Sequence, residues 1–163
     1  MLRFAQHDGE RDVRSHEFLL RVRELVEAQL PADAPRFEGR LRSSLIQLYR
    51  DDPRLHYEVW IQRKTERIEV GLHFEGDREE SYRWAEALGR RVLELQAQLG
   101  PSVELEEWTR SWTRLHQTVP LRTLDEGLAE EVAEVLARFI TVMEPILAEE
   151  ADRQSGPIPR RPN

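Results

Sequence analysis

The sequence predicts an α+β domain: a single antiparallel sheet of about five strands with three helices on its apolar face, in the order α-βββ-α-ββ-α. Three observations predict it. Leu55–Glu75, LHYEVWIQRKTERIEVGLHFE, alternates with a period of two and reads as a β-hairpin. Asp77–Leu99 and the run opening near Thr123 carry apolar residues at helical spacing behind capping signals. The turns between strands are short, which requires antiparallel neighbours and places the helices on one side of the sheet.

The hairpin fixes its own register. A turn at Lys64-Thr65 sets Ile61 opposite Ile68, Val59 opposite Val70, Tyr57 opposite Leu72 and Leu55 opposite Phe74. Every pair on that face is apolar, and a slip of one residue would turn all eight side chains to the other side. The opposite face carries His56, Glu58, Trp60, Glu69, Gly71, His73 and Glu75.

The remaining elements follow in chain order. Asp12–Leu30 reads as a helix with the stripe Phe18, Val22, Leu25, Val26 and Leu30, ended by Pro31 and Pro35. Phe37–Arg50 fits either period; Gly39 before it and the hairpin after it favour one strand, closed by the turn Asp51-Asp52-Pro53. Asp77 caps a helix to Leu99, with Glu80 completing a capping box and Gly100-Pro101 stopping it; its stripe is Trp84, Leu88, Val92, Leu95 and Leu99. Val103–Glu107 and Trp112–Val119 read as two strands. Thr123 and Glu126 form a second capping box, opening a long helix whose stripe runs from Leu128 to Leu147, with Pro145 expected to kink it.

Length and composition bound the class. The 163 residues make one domain, 1–163, with an ordered body of about residues 12–152 and ends, 1–11 and 153–163, expected to be flexible. An apolar fraction of 39% beside 34% charged residues is that of a globular protein and not of a disordered one. The chain has no cysteine, which excludes disulfides, thiolate zinc sites and a cysteine nucleophile. No run has the length of a spanning helix and the N-terminus has no apolar signal region, so the expectation is a cytoplasmic protein without membrane contact.

The net charge of −7 argues against non-specific nucleic-acid binding, which rewards a basic footprint. Charge is uneven, however. Residues 36–67 carry eight basic and five acidic side chains, whereas Leu124–Asp152 carries nine acids and only Arg138. Lys64 is the single lysine among arginines, a pattern that coding bias accounts for.

Two constellations could carry function. In the hairpin register His56 faces His73, and Glu58, Glu69 and Glu75 share their face. Imidazoles and carboxylates at this density can hold a divalent ion, while Gly71 opposite Glu58 leaves space above the sheet. The segment EEWTRSWTRLH interleaves Trp108 and Trp112 with Arg110 and Arg114; together with Trp60 these could anchor a protein partner or stack bases. A restriction-nuclease-like site would need an acid such as Asp52 beside Gln62-x-Lys64, but the lysine falls at the hairpin tip. Neither a nucleophile elbow nor a phosphate-cradling glycine loop is present. His7, His16 and His116 stand isolated.

Residues from about Tyr57 to Glu149 resemble a family of uncharacterised bacterial domains often found beside restriction-nuclease-like domains. The resemblance is carried by EVWIQRKTERIEVGLHFE, a helix ending in LG, the acidic strand ELEEW, an arginine-bearing strand and a closing helix with VMEPIL. It implies an α+β accessory domain, one serving nucleic-acid defence machinery, and brings no known activity to transfer. This chain departs from the pattern in having no nuclease domain attached.

The first functional expectation is therefore a non-enzymatic module that binds a protein partner or a second copy of itself, without a cofactor. The second is a metal-dependent hydrolase or nuclease built on His56, Glu58, Glu69, His73 and Glu75. The third is single-stranded nucleic-acid binding through residues 108–114.

Overall fold

The hairpin adopts the register its apolar pattern requires. In the computed structural model, which describes residues 2–156, β3 (Leu55–Gln62) pairs antiparallel with β4 (Arg67–Phe74). Leu55 lies opposite Phe74, Tyr57 opposite Leu72, Val59 opposite Val70 and Ile61 opposite Ile68. Residues 63–66 form the tip, where Glu66 takes a positive φ of 51°.

Six strands form one antiparallel sheet, in the order β1-β2-β3-β4-β6-β5. The segment expected as one strand is two: β1 (Glu38–Leu41) and β2 (Leu45–Tyr49), which pair with each other across a tight turn. Arg42 N donates to Leu45 O at 2.8 Å to close it. Arg42-Ser43-Ser44 breaks the alternation with three small or polar residues, and short hydroxyl side chains favour turns. The chain then leaves β4, crosses two helices, and returns with β6 (Thr113–Pro120) beside β4 and β5 (Glu104–Glu107) on the outer edge.

Four helices accompany the sheet. α1 (Leu2–Gln29) and α4 (Glu126–Gln154) pack on each other and on the apolar sheet face. α1 begins ten residues before the expected start at Asp12, because little between Leu2 and Asp12 besides Gly9 opposes helix. The helix expected as one piece is α2 (Arg78–Gly89) and α3 (Val92–Leu99). The break follows Gly89, the poorest helix former in the run, and Arg91 then reaches α4, bonding Glu149 at 2.9 Å. As a result Val92, expected in the buried stripe, is 38% exposed, and Leu93 beside it is 79% exposed.

The caps are partly as expected. Asp77 Oδ1 accepts from Glu80 N at 2.8 Å, and Gly100 closes α3 with a φ of 112°. At α4 the cap is Asp125, whose carboxylate accepts from Leu128 N, and not Thr123. An ionised cap at this end also complements the helix dipole. Pro145 lies inside α4, which continues past it to Gln154.

The core lies between the sheet and α1 and α4. Phe74, Leu72, Ile68, Ile46 and Leu115 meet Leu19, Leu128, Leu136, Phe139 and Ile140, all essentially inaccessible. Burying each such side chain contributes about 1.5–3 kcal/mol. Among the described residues, no helix is long and apolar enough to cross a membrane. The expectation for the C-terminal tail falls outside the described residues from 157 onward.

Candidate metal centre

Strand pairing assembles a second, polar interior on the other side of the sheet. β3 and β4 set His56 opposite His73, Glu58 opposite Gly71 and Trp60 opposite Glu69. β6 adds Arg114 opposite His73 and His116 opposite Gly71, and β5 adds Glu106 opposite Arg114. This face is not solvated. His56, Glu58, Glu69 and His73 are at most 4% exposed, and Arg114 and His116 are buried too.

Gly71 is the hinge of the arrangement. The space expected above it is filled. A Cβ at this position would lie 2.6 Å from His116 Cβ and closer still to Leu115 O, so β4 and β6 approach here as only glycine permits.

The histidines are held from behind. A ring nitrogen of His56, Nδ1, lies 2.7 Å from Pro53 O and must donate to it, since a carbonyl can only accept. His73 Nε2 lies 2.7 Å from Glu69 Oε1. Glu69 is itself fixed by Arg114 Nη1 at 2.6 Å and by Gln62 at 3.1 Å. Arg114 also pairs with Glu106 at 2.5 Å.

The other nitrogen of each ring is unsatisfied. His56 Nε2 and His73 Nδ1 are buried without a hydrogen-bond partner among the described residues. Both face Glu75, at 3.3 Å from Oε2 and 3.9 Å from Oε1 respectively. Glu58 stands 3.7 Å from His56 Nε2 and 3.3 Å from His73 Nε2. One ring nitrogen bound to a carbonyl or carboxylate, with the other aimed at acids, is the outer-shell pattern of metal-ligating histidine.

The buried groups also perturb one another's protonation. Burial alone would lower the pKa of His73, but its hydrogen bond to Glu69 and the neighbouring carboxylates of Glu75 and Glu58 raise it to about 9. Burial would raise the Glu58 carboxyl, yet contact with His56 and His73 holds it below its ordinary value. His116, desolvated and beside Arg114, is pushed below the usual imidazole range. Its Nε2 sits 2.8 Å from Glu106 Oε1 but is not aligned for a hydrogen bond. Glu58, Glu69, Glu75 and Glu106 thus face one guanidinium and the His73 imidazolium.

All five metal candidates from the sequence, His56, Glu58, Glu69, His73 and Glu75, are brought together. Two overlapping donor groups have their atoms within 4.8 Å of one another: His56, His73 and Glu75; and Glu58, Glu69 and His73. A third such group, Glu104, Glu106 and His116, lies toward the edge. The sequence reading missed His116, Arg114 and Glu106 as members. The signal was the strand order, since His116 enters only when β6 lies beside β4.

The aromatic candidates form a cover. Trp108, from the β5–β6 turn, stands edge-on to His73 at 5.7 Å and contacts Trp60 at 6.2 Å and Trp112 at 6.1 Å. Arg114 lies 5.0 Å over the Trp108 ring. Trp60, Trp108 and Trp112 are half-buried, Arg114 is committed to Glu69 and Glu106, and Arg110 is exposed and apart. The nuclease-like combination fails on geometry. Asp52 and Lys64 flank opposite ends of β3, about 26 Å of extended chain apart, and Asp52 is bound to Arg54.

Comparison with family models, curated proteins and solved structures finds no match to this chain.

Proposed function

We propose that this is a non-enzymatic domain whose sheet carries a buried transition-metal site, with zinc the foremost ion. His56 Nε2, His73 Nδ1 and Glu75 are its ligands and Glu58 is the adjoining acid. The carrying observation is the pair of buried, unpartnered ring nitrogens facing one carboxylate. His56 Nε2 lies 3.3 Å from Glu75 and 3.7 Å from Glu58, so a cation between them would be held by all three groups. Zinc bonds of about 2.0 Å in a tetrahedron set ligand atoms about 3.3 Å apart, and the observed separations of 3.3 and 3.9 Å approach that spacing.

Imidazole and carboxylate donors suit zinc, nickel or ferrous iron better than magnesium. Burial of both imidazoles, with Trp108 against His73, favours a structural role over a hydrolytic one, because a catalytic ion needs an open position reached by substrate. Metal uptake displaces the His73 proton, so affinity falls as pH falls.

The test is a thermal melt of chelator-treated protein with zinc, nickel, manganese or magnesium. An ion at 100 times its dissociation constant stabilises by about 2.7 kcal/mol, on the order of 5–10 °C for this length. His73→Ala and Glu75→Gln abolish the shift. No shift with any ion, and no metal in the purified protein by elemental analysis, would sink the proposal.

A second reading, self-association, draws on Leu93 and Val92, which form an exposed apolar step on α3. Light scattering at high concentration tests it: a monomer removes it, and a dimer dispersed by Leu93→Glu supports it.

A further inference from the structure

The polar face ends in an open concavity that the metal site does not use. It measures about 680 Å³ and lies at the tip of the β3–β4 hairpin. Trp60 and Trp108 supply its aromatic surface. Around them stand Arg11, Arg63, Lys64, Arg67 and Arg114, and among the described residues no carboxylate lines it. In a chain of net charge −7 this concentration of cations runs against the whole. Arg114 is neutralised by Glu69 and Glu106. The other four make no ion pair among the described residues: Arg63 donates to Ser15 Oγ and Arg67 to Gln62 Oε1, both neutral.

We infer that this concavity binds a nucleoside phosphate, the base stacking on Trp60 and the phosphate held by Arg63, Lys64 and Arg67. Each part of the lining answers a part of that ligand. A flat π-face accepts any base, and stacking on an aromatic contributes about 1–3 kcal/mol. Guanidinium forks match phosphate oxygens in two-point contact, and the lysine adds a point charge. The volume falls within the range of small-ligand sites. A carboxylate ligand would use the cations but leave the indoles idle, and a purely apolar ligand would leave four charges unmatched. The ligand can be a free nucleotide or one unit of a single strand, since both present the same chemistry. The inference does not depend on the metal proposal, because none of its residues is a proposed metal ligand.

Trp60 and Trp108 are two of four tryptophans, so binding is read by intrinsic fluorescence. The full-length protein is titrated with AMP, adenosine, inorganic phosphate and a thymidine oligomer of about eight nucleotides, a length within the usual site sizes. AMP and the oligomer are expected to quench saturably, with adenosine or phosphate alone at least tenfold weaker. Tighter binding of the oligomer assigns the site to single strands; equal or tighter binding of AMP assigns it to free nucleotides. Lys64→Glu, at the exposed tip, is expected to weaken binding about tenfold while leaving the melting temperature unchanged. No saturable quenching by AMP or oligomer would overturn the inference. So would phosphate binding as tightly as AMP, or affinity unchanged in Lys64→Glu.

Discussion

The two faces of the β3–β4 hairpin share one backbone and one register, yet they are buried by opposite means. On one face Leu55, Tyr57, Val59, Ile61, Ile68, Val70, Leu72 and Phe74 pack against helices. On the other, His56, Glu58, Glu69 and His73 are buried just as deeply among ion pairs, with an indole against His73. The apolar face gains from each side chain separately, whereas the polar face is stable only as a complete set. A buried charge that loses its partner costs more than the pair contributed.

Predictions that break this comparison begin with the glycine of the polar face. Gly71→Ala forces a Cβ into β6 and is expected to destabilise by more than about 3 kcal/mol, or to prevent folding, measured by urea denaturation. Glu69→Ala comes next, at about 3–5 kcal/mol, because it strands Arg114 and His73 together. On the apolar face, Val70→Ala should cost about 1–3 kcal/mol by the same assay, with no dependence on pH. A loss in Glu69→Ala no larger than in Val70→Ala would show that the polar face is not cooperative.

Titration sharpens the contrast. In metal-free protein the raised pKa of His73 contributes stability that is fully present below its unfolded value near 6.5 and is lost as pH rises through about 9. Melting temperature should therefore fall by several degrees between pH 7 and pH 10, and this fall should vanish in His73→Gln. The smallest effect lies at the rim of the apolar face. Glu144 accepts from the Tyr57 hydroxyl at 3.3 Å, and burial raises its carboxyl above the ordinary value. A raised carboxyl favours the neutral form, so Glu144 opposes folding at neutral pH. Glu144→Gln should stabilise by up to about 1 kcal/mol at pH 7, with the gain disappearing below about pH 4.5.

The apolar face was legible in the sequence because alternation and register are local properties of one hairpin. The helices of α1 and α4 were legible for the same reason: their stripes repeat within the segment. Two boundaries were not. Gly89 split a continuous stripe into α2 and α3, and Arg42–Ser44 folded one expected strand back into two. In each case a few weak residues outweighed a strong period. The five metal candidates were legible as neighbours, but their burial was not. Covering that face depends on where β6 and the β5–β6 turn come to lie, and strand order leaves no mark on local periodicity. The same ignorance hid His116, whose place opposite Gly71 exists only once β6 is paired.

The sheet order also sets a sequence in time. His73 and Glu69 are four residues apart and meet as soon as the hairpin closes, within microseconds for an element of this kind. Glu69 and Arg114 are 45 residues apart, and their contact must await the closure of a long loop and the docking of β6. The acids therefore gather before the arginine that pins them and before the indole that covers them. Until β6 docks, Glu58, Glu69 and Glu75 on the hairpin have neither that arginine nor that indole over them.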